Sequence, residues 1–447
     1  MTDEPVEFEP AAPTLTSVWR FRLAACCLAL VALAFAQAPG SVVTDTKLDL
    51  TVDPLGFLGR ALTLWDPQGA FGQVQNQAYG YLFPMGPFFA LGDLVDASPW
   101  VTQRLWWSLL LVVAFLGTVV LLGAMRIGNR WTRVLAGFAF ALSPRMLTVL
   151  GGSSVEMWPS ALAPWVLVPL VIGLVRGDPR RQAALSALVV AAVGGVNAAA
   201  TFAVIPLAAW WIWCAPRSSR RRTMMLWWPP LVLAGTLWWL LPLLLLGRYS
   251  PPFLDYIESA SNTTFAATAL DALRGTTNWV AYIDNNSDAG RLLITEPLLI
   301  LNGGLVVVLG IVGLSRRDIP ARGFLVAGLL TGLVLVTLGH VGSTSGLGSQ
   351  TMRDLLDGPL APLRNTHKFD VLLRLPLVIG LCHAVTRLTQ GRVVGATGQR
   401  RPDPLAIGVG LLACVAVLGA TVPAWTGHLV PRRSFQSVPQ YWADTGE

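Results

Sequence analysis

Apolar runs long enough to cross a bilayer recur along almost the whole chain. A transmembrane helix needs roughly 17 to 25 consecutive, mainly apolar residues. Such runs, some of them short, fall at 21–39, 103–125, 134–150, 159–175, 182–196, 199–214, 226–247, 293–315, 322–340, 371–389 and 404–424. Charged residues make up only 13% of the 447, about half the share usual in soluble domains. The reading is an all-α integral membrane protein, a polytopic bundle of about eleven transmembrane helices with a long first loop. The runs 182–196 and 199–214 read either as two tilted crossings or as a hairpin dipping partway into the bilayer.

Arginine placement orients the bundle. Short cytoplasmic loops collect Lys and Arg, and with the N-terminus inside, alternate loops place nineteen cations against seven acids on the inner side. The opposite side receives the long loops 40–102, 248–292 and 341–370 and the segment 425–447. Residues 1–20 read as a cytoplasmic tail, acidic and Pro-rich at first and unlike a cleaved signal peptide. Residues 21–424 read as the transmembrane domain. The paired tryptophans Trp106/Trp107, Trp210/Trp211, Trp227/Trp228 and Trp238/Trp239 read as interfacial anchors. Five cysteines inside apolar runs, without metal spacing, read as buried thiols.

Ionisable residues beside a span need a partner, water or a function. The first outer loop opens with Asp45, Lys47, Asp49 and Asp53; if extended, Asp45, Lys47 and Asp49 share one face, and if helical, Asp45, Asp49 and Asp53 stack at i, i+4 and i+8. Asp45, nearest the membrane, is the candidate catalytic base. Tyr79 to Phe89, broken by Gly and Pro, reads as an interfacial or re-entrant cover. Glu156 sits beside Trp158 in the next outer turn, as a second site carboxylate. Arg364, His367 and Lys368 precede the span at 371, at the wrong end for the positive-inside rule, and fit a phosphate grip. Lys368 is one of only two lysines, the other being Lys47. There is no Walker A loop, no HExxH and no GxSxG elbow, which argues against nucleotide hydrolysis and zinc catalysis. Nothing points to nucleic acid.

A many-span chain with an acid just after its first helix and cations in later outer loops resembles the GT-C glycosyltransferases. The run Asp45-Thr46-Lys47-Leu48-Asp49-Leu50, then Asp53-Pro54 and Tyr79 to Pro87, is similar to the arabinofuranosyltransferase D family of mycobacterial and related cell-wall pathways. The resemblance implies an inverting enzyme of the outer face of the plasma membrane. It would move arabinofuranose from decaprenylphosphoryl arabinofuranose, a polyprenyl-phosphate sugar donor, to a cell-wall polysaccharide acceptor, the arabinan of arabinogalactan or lipoarabinomannan. A polyprenyl phosphate leaves without a general acid, so the protein must supply a base and cations. Asp45 takes the first role, Arg364 and Lys368 the second, while Lys47, Asp49, Glu156 and His367 complete substrate binding. Asp49 or Glu156 could alternatively hold a divalent cation. Family members continue into a large outer region, so the chain reads as an N-terminal membrane portion and 425–447 as the start of an extracytoplasmic segment, truncated here. The alternative is a polytopic transporter or lipid-linked sugar flippase. Besides membrane lipid, an acidic cytoplasmic protein is a further partner that the basic loops, Arg217 to Arg222 above all, allow.

Overall fold

The computed structural model describes residues 17–45, 47–67, 72–74, 78–246, 249, 258–283, 287–342, 348–390, 392–394, 400–431 and 434–436. Among these, six helices are long and apolar enough to cross a membrane: Ser17–Phe35, Pro99–Ala124, Ser154–Val175, Ser219–Leu246, Pro297–Ser315 and Thr366–Leu388. Shorter apolar helices cover Ala198–Cys214, Arg322–Thr337 and Pro404–Ala420. Among the described residues the strands form two small hairpins, Trp65–Asp66 with Gln73–Val74 and Arg392–Val394 with Arg400–Pro402. The chain is thus a multi-pass, all-helical membrane protein.

Several runs fold differently from the eleven-span reading. The run 134–150 divides into Arg130–Ala141 and Pro144–Val149. Pro144 disfavours helix at Ser143 and donates no backbone hydrogen bond, so the break is built into the sequence. Pro179–Ala191 has thirteen residues, about 20 Å of helix, too short for the roughly 30 Å hydrocarbon core. It packs along Trp158–Val175 and Ser219–Leu246. The turn after it passes through Gly194 at φ +83° before the short Ala198–Phe202 and Ile205–Cys214 helices.

Val371–Leu388 is the hub, with every residue from Val371 to Thr386 buried. Its neighbours are Pro297–Ser315, Arg322–Thr337, Arg130–Ala141 and Pro404–Ala420. Glycines set the closest approach: a side chain on Gly313 would collide with the Gly380 carbonyl, and one on Gly380 with the Gly310 carbonyl. Small residues of this kind let helix backbones meet where lipid supplies no hydrophobic drive. Ser17–Phe35 and Ser219–Leu246 lie at the rim, each only 22% buried over its most apolar window, and present apolar side chains to lipid.

Two anchoring expectations need correction. Trp106 and Trp107 are completely buried, and Trp228 and Trp239 are buried beside more exposed partners. Consecutive residues on a helix point about 100° apart, so a tryptophan pair on a packed helix turns at least one ring inward. The cysteines are free, but only Cys382 is buried; Cys214 is exposed and the other three are half-buried on helices at the rim. The Tyr79 stretch is no loose cover either. Tyr79 and Tyr81 are buried, Tyr81 packs edge-on against Phe57 at 5.6 Å, and Gly80 lies against the Gly195–Val196 backbone.

Candidate functional site

A cavity of about 220 Å³ opens where the second and third long loops and the turn at 148–156 meet. Its wall includes Ser153 and Glu156 from that turn, Glu258, Trp279 and Ser287 from the second long loop, and Asn365, His367 and Lys368 from the third. Ser287 ties two walls together, its hydroxyl donating to the Thr148 carbonyl at 2.8 Å.

Glu156 is the electrostatic centre. It lies in the 3-10 turn Ser154–Met157, which the following Trp158-Pro159 helix start fixes. Lys368 Nζ stands 3.1 Å from its Oε1 and Arg145 Nη2 stands 3.6 Å from its Oε2. Asn197 Nδ2 also donates to Oε1 at 3.2 Å. Lys368 and Asn197 hold the carboxylate at close range and Arg145 stands behind it, outside the cavity lining, so two cations flank one carboxylate. Arg145 is only 3% exposed, and none of its guanidinium nitrogens has a hydrogen-bond acceptor among the described residues. His367 is buried in the wall, with its Nδ1 equally without a partner there. Unsatisfied buried donors are costly and need a reason, and an anionic substrate group would satisfy them.

Glu258 is the contrasting carboxylate. It lines the cavity without a cation paired to it among the described residues, and its Oε2 accepts from Asn365 Nδ2 at 2.7 Å. Asn365 in turn accepts from the Trp279 indole at 3.0 Å, so Trp279, Asn365 and Glu258 form one fixed chain.

Asp45 sits elsewhere. After Ser17–Phe35 the chain is stitched to Pro99–Ala124: Gln103 bonds both the N–H and the carbonyl of Val43, at 3.1 and 2.9 Å, and Arg104 donates to the Gln37 and Ser41 carbonyls. This seam delivers Asp45 into the interior at φ +39°, 1% exposed, where it accepts from the Ser154 N–H at 2.6 Å and its hydroxyl at 2.5 Å. Burial pushes its carboxyl up to about 6, against the opposing pull of Ser154, Trp107 and Arg104. It lies outside the cavity wall, one residue behind Ser153. The left-handed turn also breaks the anticipated stacking. Asp49 and Asp53 face Arg60 at 3.5 and 3.7 Å on the surface, and Lys47 caps the short Leu48–Val52 helix away from the cavity. Arg364 is buried beside the wall but not in it.

Of the anticipated residues, the structure therefore gathers Glu156, His367 and Lys368, and leaves Asp45, Lys47, Asp49 and Arg364 outside. Glu258, Asn365, Trp279 and Arg145 escaped the sequence reading. Arg145 had a signal, a charge within a predicted span; Glu258 had none, being one acid in a long polar loop. Among the described residues no three carboxylate, His or Cys side chains converge to hold a metal ion.

Comparison with known proteins bears on this architecture. Residues 29–447 match the family model described as alpha-(1->3)-arabinofuranosyltransferase, N-terminal GT-C domain. An alpha-(1->3)-arabinofuranosyltransferase of Mycolicibacterium smegmatis is 44% identical over 93% of this chain, and one of Mycobacterium tuberculosis is 43% identical over the same share. The chain spans only 30% of the length of each. The cryo-EM structure of arabinofuranosyltransferase AftD from mycobacteria superposes with a TM-score of 0.77 at 41% identity, covering 95% of this chain and 28% of that one. On sequence and on fold together, the chain belongs to the family of the N-terminal GT-C domain of alpha-(1->3)-arabinofuranosyltransferases.

Proposed function

We propose that this membrane domain carries the transfer of arabinofuranose from decaprenylphosphoryl arabinofuranose to cell-wall arabinan, with inversion, on the outer face of the plasma membrane. The observation that carries this reading is that one cavity is lined both by Glu258, with no cation paired to it among the described residues, and by Lys368 with its partner Glu156, which the buried Arg145 backs. The donor's phosphate would lie against Lys368, with the buried Arg145 behind it. Its departure from the anomeric carbon takes the bonding electron pair onto phosphate oxygen, where those cations stabilise the growing charge. The acceptor hydroxyl oxygen forms the new bond from the opposite face, and its proton passes to Glu258. One displacement of this kind turns a β donor into an α linkage. Trp279 offers the acceptor ring an aromatic face. The outward placement of the cavity rests on the arginine distribution, which assigns the long loops to the outer side.

A second reading keeps Asp45 as the base, favoured by its carboxyl near 6, a value suited to accepting a proton at neutral pH. It requires Ser154 to release Asp45 to the acceptor. In the reading preferred here, Asp45 is a positioning residue that holds Ser154 and with it the Ser153–Glu156 wall. The two separate cleanly in a transfer assay. Glu258→Gln should lower turnover by about 10²–10⁴, while Asp45→Asn lowers it less and leaves the acid limb of the pH–rate profile in place. Near-normal transfer by Glu258→Gln, with abolition by Asp45→Asn, would assign the base to Asp45 instead.

A further inference from the structure

We infer that the arginine-rich corner formed by the 176–181 and 217–222 turns is a docking site for anionic phospholipid headgroups. The two turns are one surface. Arg220 donates from Nε to the Gly173 carbonyl at 2.8 Å and from Nη2 to the Gly177 carbonyl, and Arg221 Nε donates to the Ile212 carbonyl at 3.1 Å. These two half-buried arginines act as struts, each using its guanidinium to fix a helix end. Five more, Arg176, Arg180, Arg181, Arg217 and Arg222, remain exposed around them. The single acid of the corner, Asp178, is occupied in capping the Pro179–Ala191 helix through the Arg180 N–H at 3.0 Å.

What surrounds the cations points to lipid. Trp213 and Trp227 are 65% and 44% exposed, and Leu226 and Leu188 are 73% and 65% exposed, all within about a turn or two of an exposed arginine. Arg180 stacks over Trp227 at 5.3 Å and Arg221 over Trp213 at 5.9 Å. A cationic rim on an aromatic and aliphatic belt matches the boundary between phosphate and acyl chain. Arginine forks bind phosphate oxygens in pairs, and struts that pre-form the corner reduce the ordering cost of binding. An acidic protein would meet the arginines but leave the belt below them unused. The corner lies outside the cavity, so this inference stands apart from the transfer reaction; only the name of the leaflet, the cytoplasmic one, depends on the proposed orientation.

The test uses the purified full chain in mixed micelles with bromine-labelled phosphatidylglycerol or phosphatidylcholine, reading tryptophan quenching as a relative association constant. The wild type should prefer phosphatidylglycerol by roughly three- to tenfold, the factor that about 1 kcal/mol of net headgroup attraction gives. Arg180→Gln/Arg181→Gln/Arg217→Gln/Arg222→Gln should bring the ratio close to one. Should that variant misfold, 0.5 M salt on the wild type gives the same answer, because screening at that strength removes headgroup attraction. Equal association of both lipids with the wild type, or a preference that survives both the substitutions and salt, would overturn the inference. So would tight binding of soluble polyglutamate without any lipid preference, which would assign the corner to an acidic protein.

Discussion

Arg145 carries a charge that packing alone does not justify. Its guanidinium is buried, none of its nitrogens finds a hydrogen-bond acceptor among the described residues, and its nearest carboxylate oxygen is 3.6 Å away on Glu156. Taking an ion out of water costs several kcal/mol unless geometry repays it. Strain retained beside a cavity is a mark of function. Arg145→Met should therefore keep or raise the melting temperature while lowering transfer at least about a hundredfold; a variant that melts earlier and transfers normally would show the charge to be structural. Asp45 gives a pH signature instead. Its folded carboxyl titrates near 6 rather than 3.8, so between pH 4 and pH 6 the folded protein binds more protons than the unfolded chain. Stability then falls as pH rises through that window and levels off above it. Melting curves across pH 4 to 7 should show this decline in the wild type and its loss in Asp45→Asn, whose amide oxygen still accepts from the Ser154 N–H; parallel curves would refute the shift.

At the scale of elements, the bundle depends on where backbones touch. Gly313 and Gly380 permit Pro297–Ser315 to cross Val371–Leu388 without a side chain between them. Gly313→Ala should cost about 1–3 kcal/mol, as overpacking does, seen as a melting point several degrees lower in detergent. Gly304 has nothing within 4 Å of the place a Cβ would occupy, so Gly304→Ala should be neutral or slightly stabilising. Equal losses at both sites would remove the crossing from the account. The apolar runs announced most of these helices because lipid imposes one simple demand on composition. Breaks were less legible: Pro144 divides a run that hydropathy alone keeps whole, and Pro179–Ala191 is apolar enough to mislead but too short to cross. The carboxylates of the first loop were harder still. Whether Asp45, Asp49 and Asp53 share a face depends on one left-handed turn at Asp45, which follows from the Gln103 and Arg104 seam about sixty residues away and not from local pattern. Lys368 and His367 were legible because cations at the wrong end of a span stand out; Glu258 became visible only once Asn365 and Trp279 met it.

The whole molecule combines two features: a cavity lined by Glu258, Glu156 and Lys368 and, outside it, a corner of exposed arginines beside exposed tryptophans. A membrane enzyme using a lipid-linked sugar needs such a cavity at the bilayer surface, where a phosphate on a hydrocarbon tail naturally lies. The central claim is that this cavity performs the transfer. The most direct test is release of radiolabelled arabinofuranose from decaprenylphosphoryl arabinofuranose to a short arabinan acceptor, by the purified chain in nanodiscs, wild type against Glu258→Gln. The account predicts labelled acceptor from the wild type and about a hundredfold less, or none, from Glu258→Gln of equal melting temperature. Undiminished labelling by Glu258→Gln would contradict the assigned base, and no labelling by the wild type would contradict the claim that this domain carries the reaction.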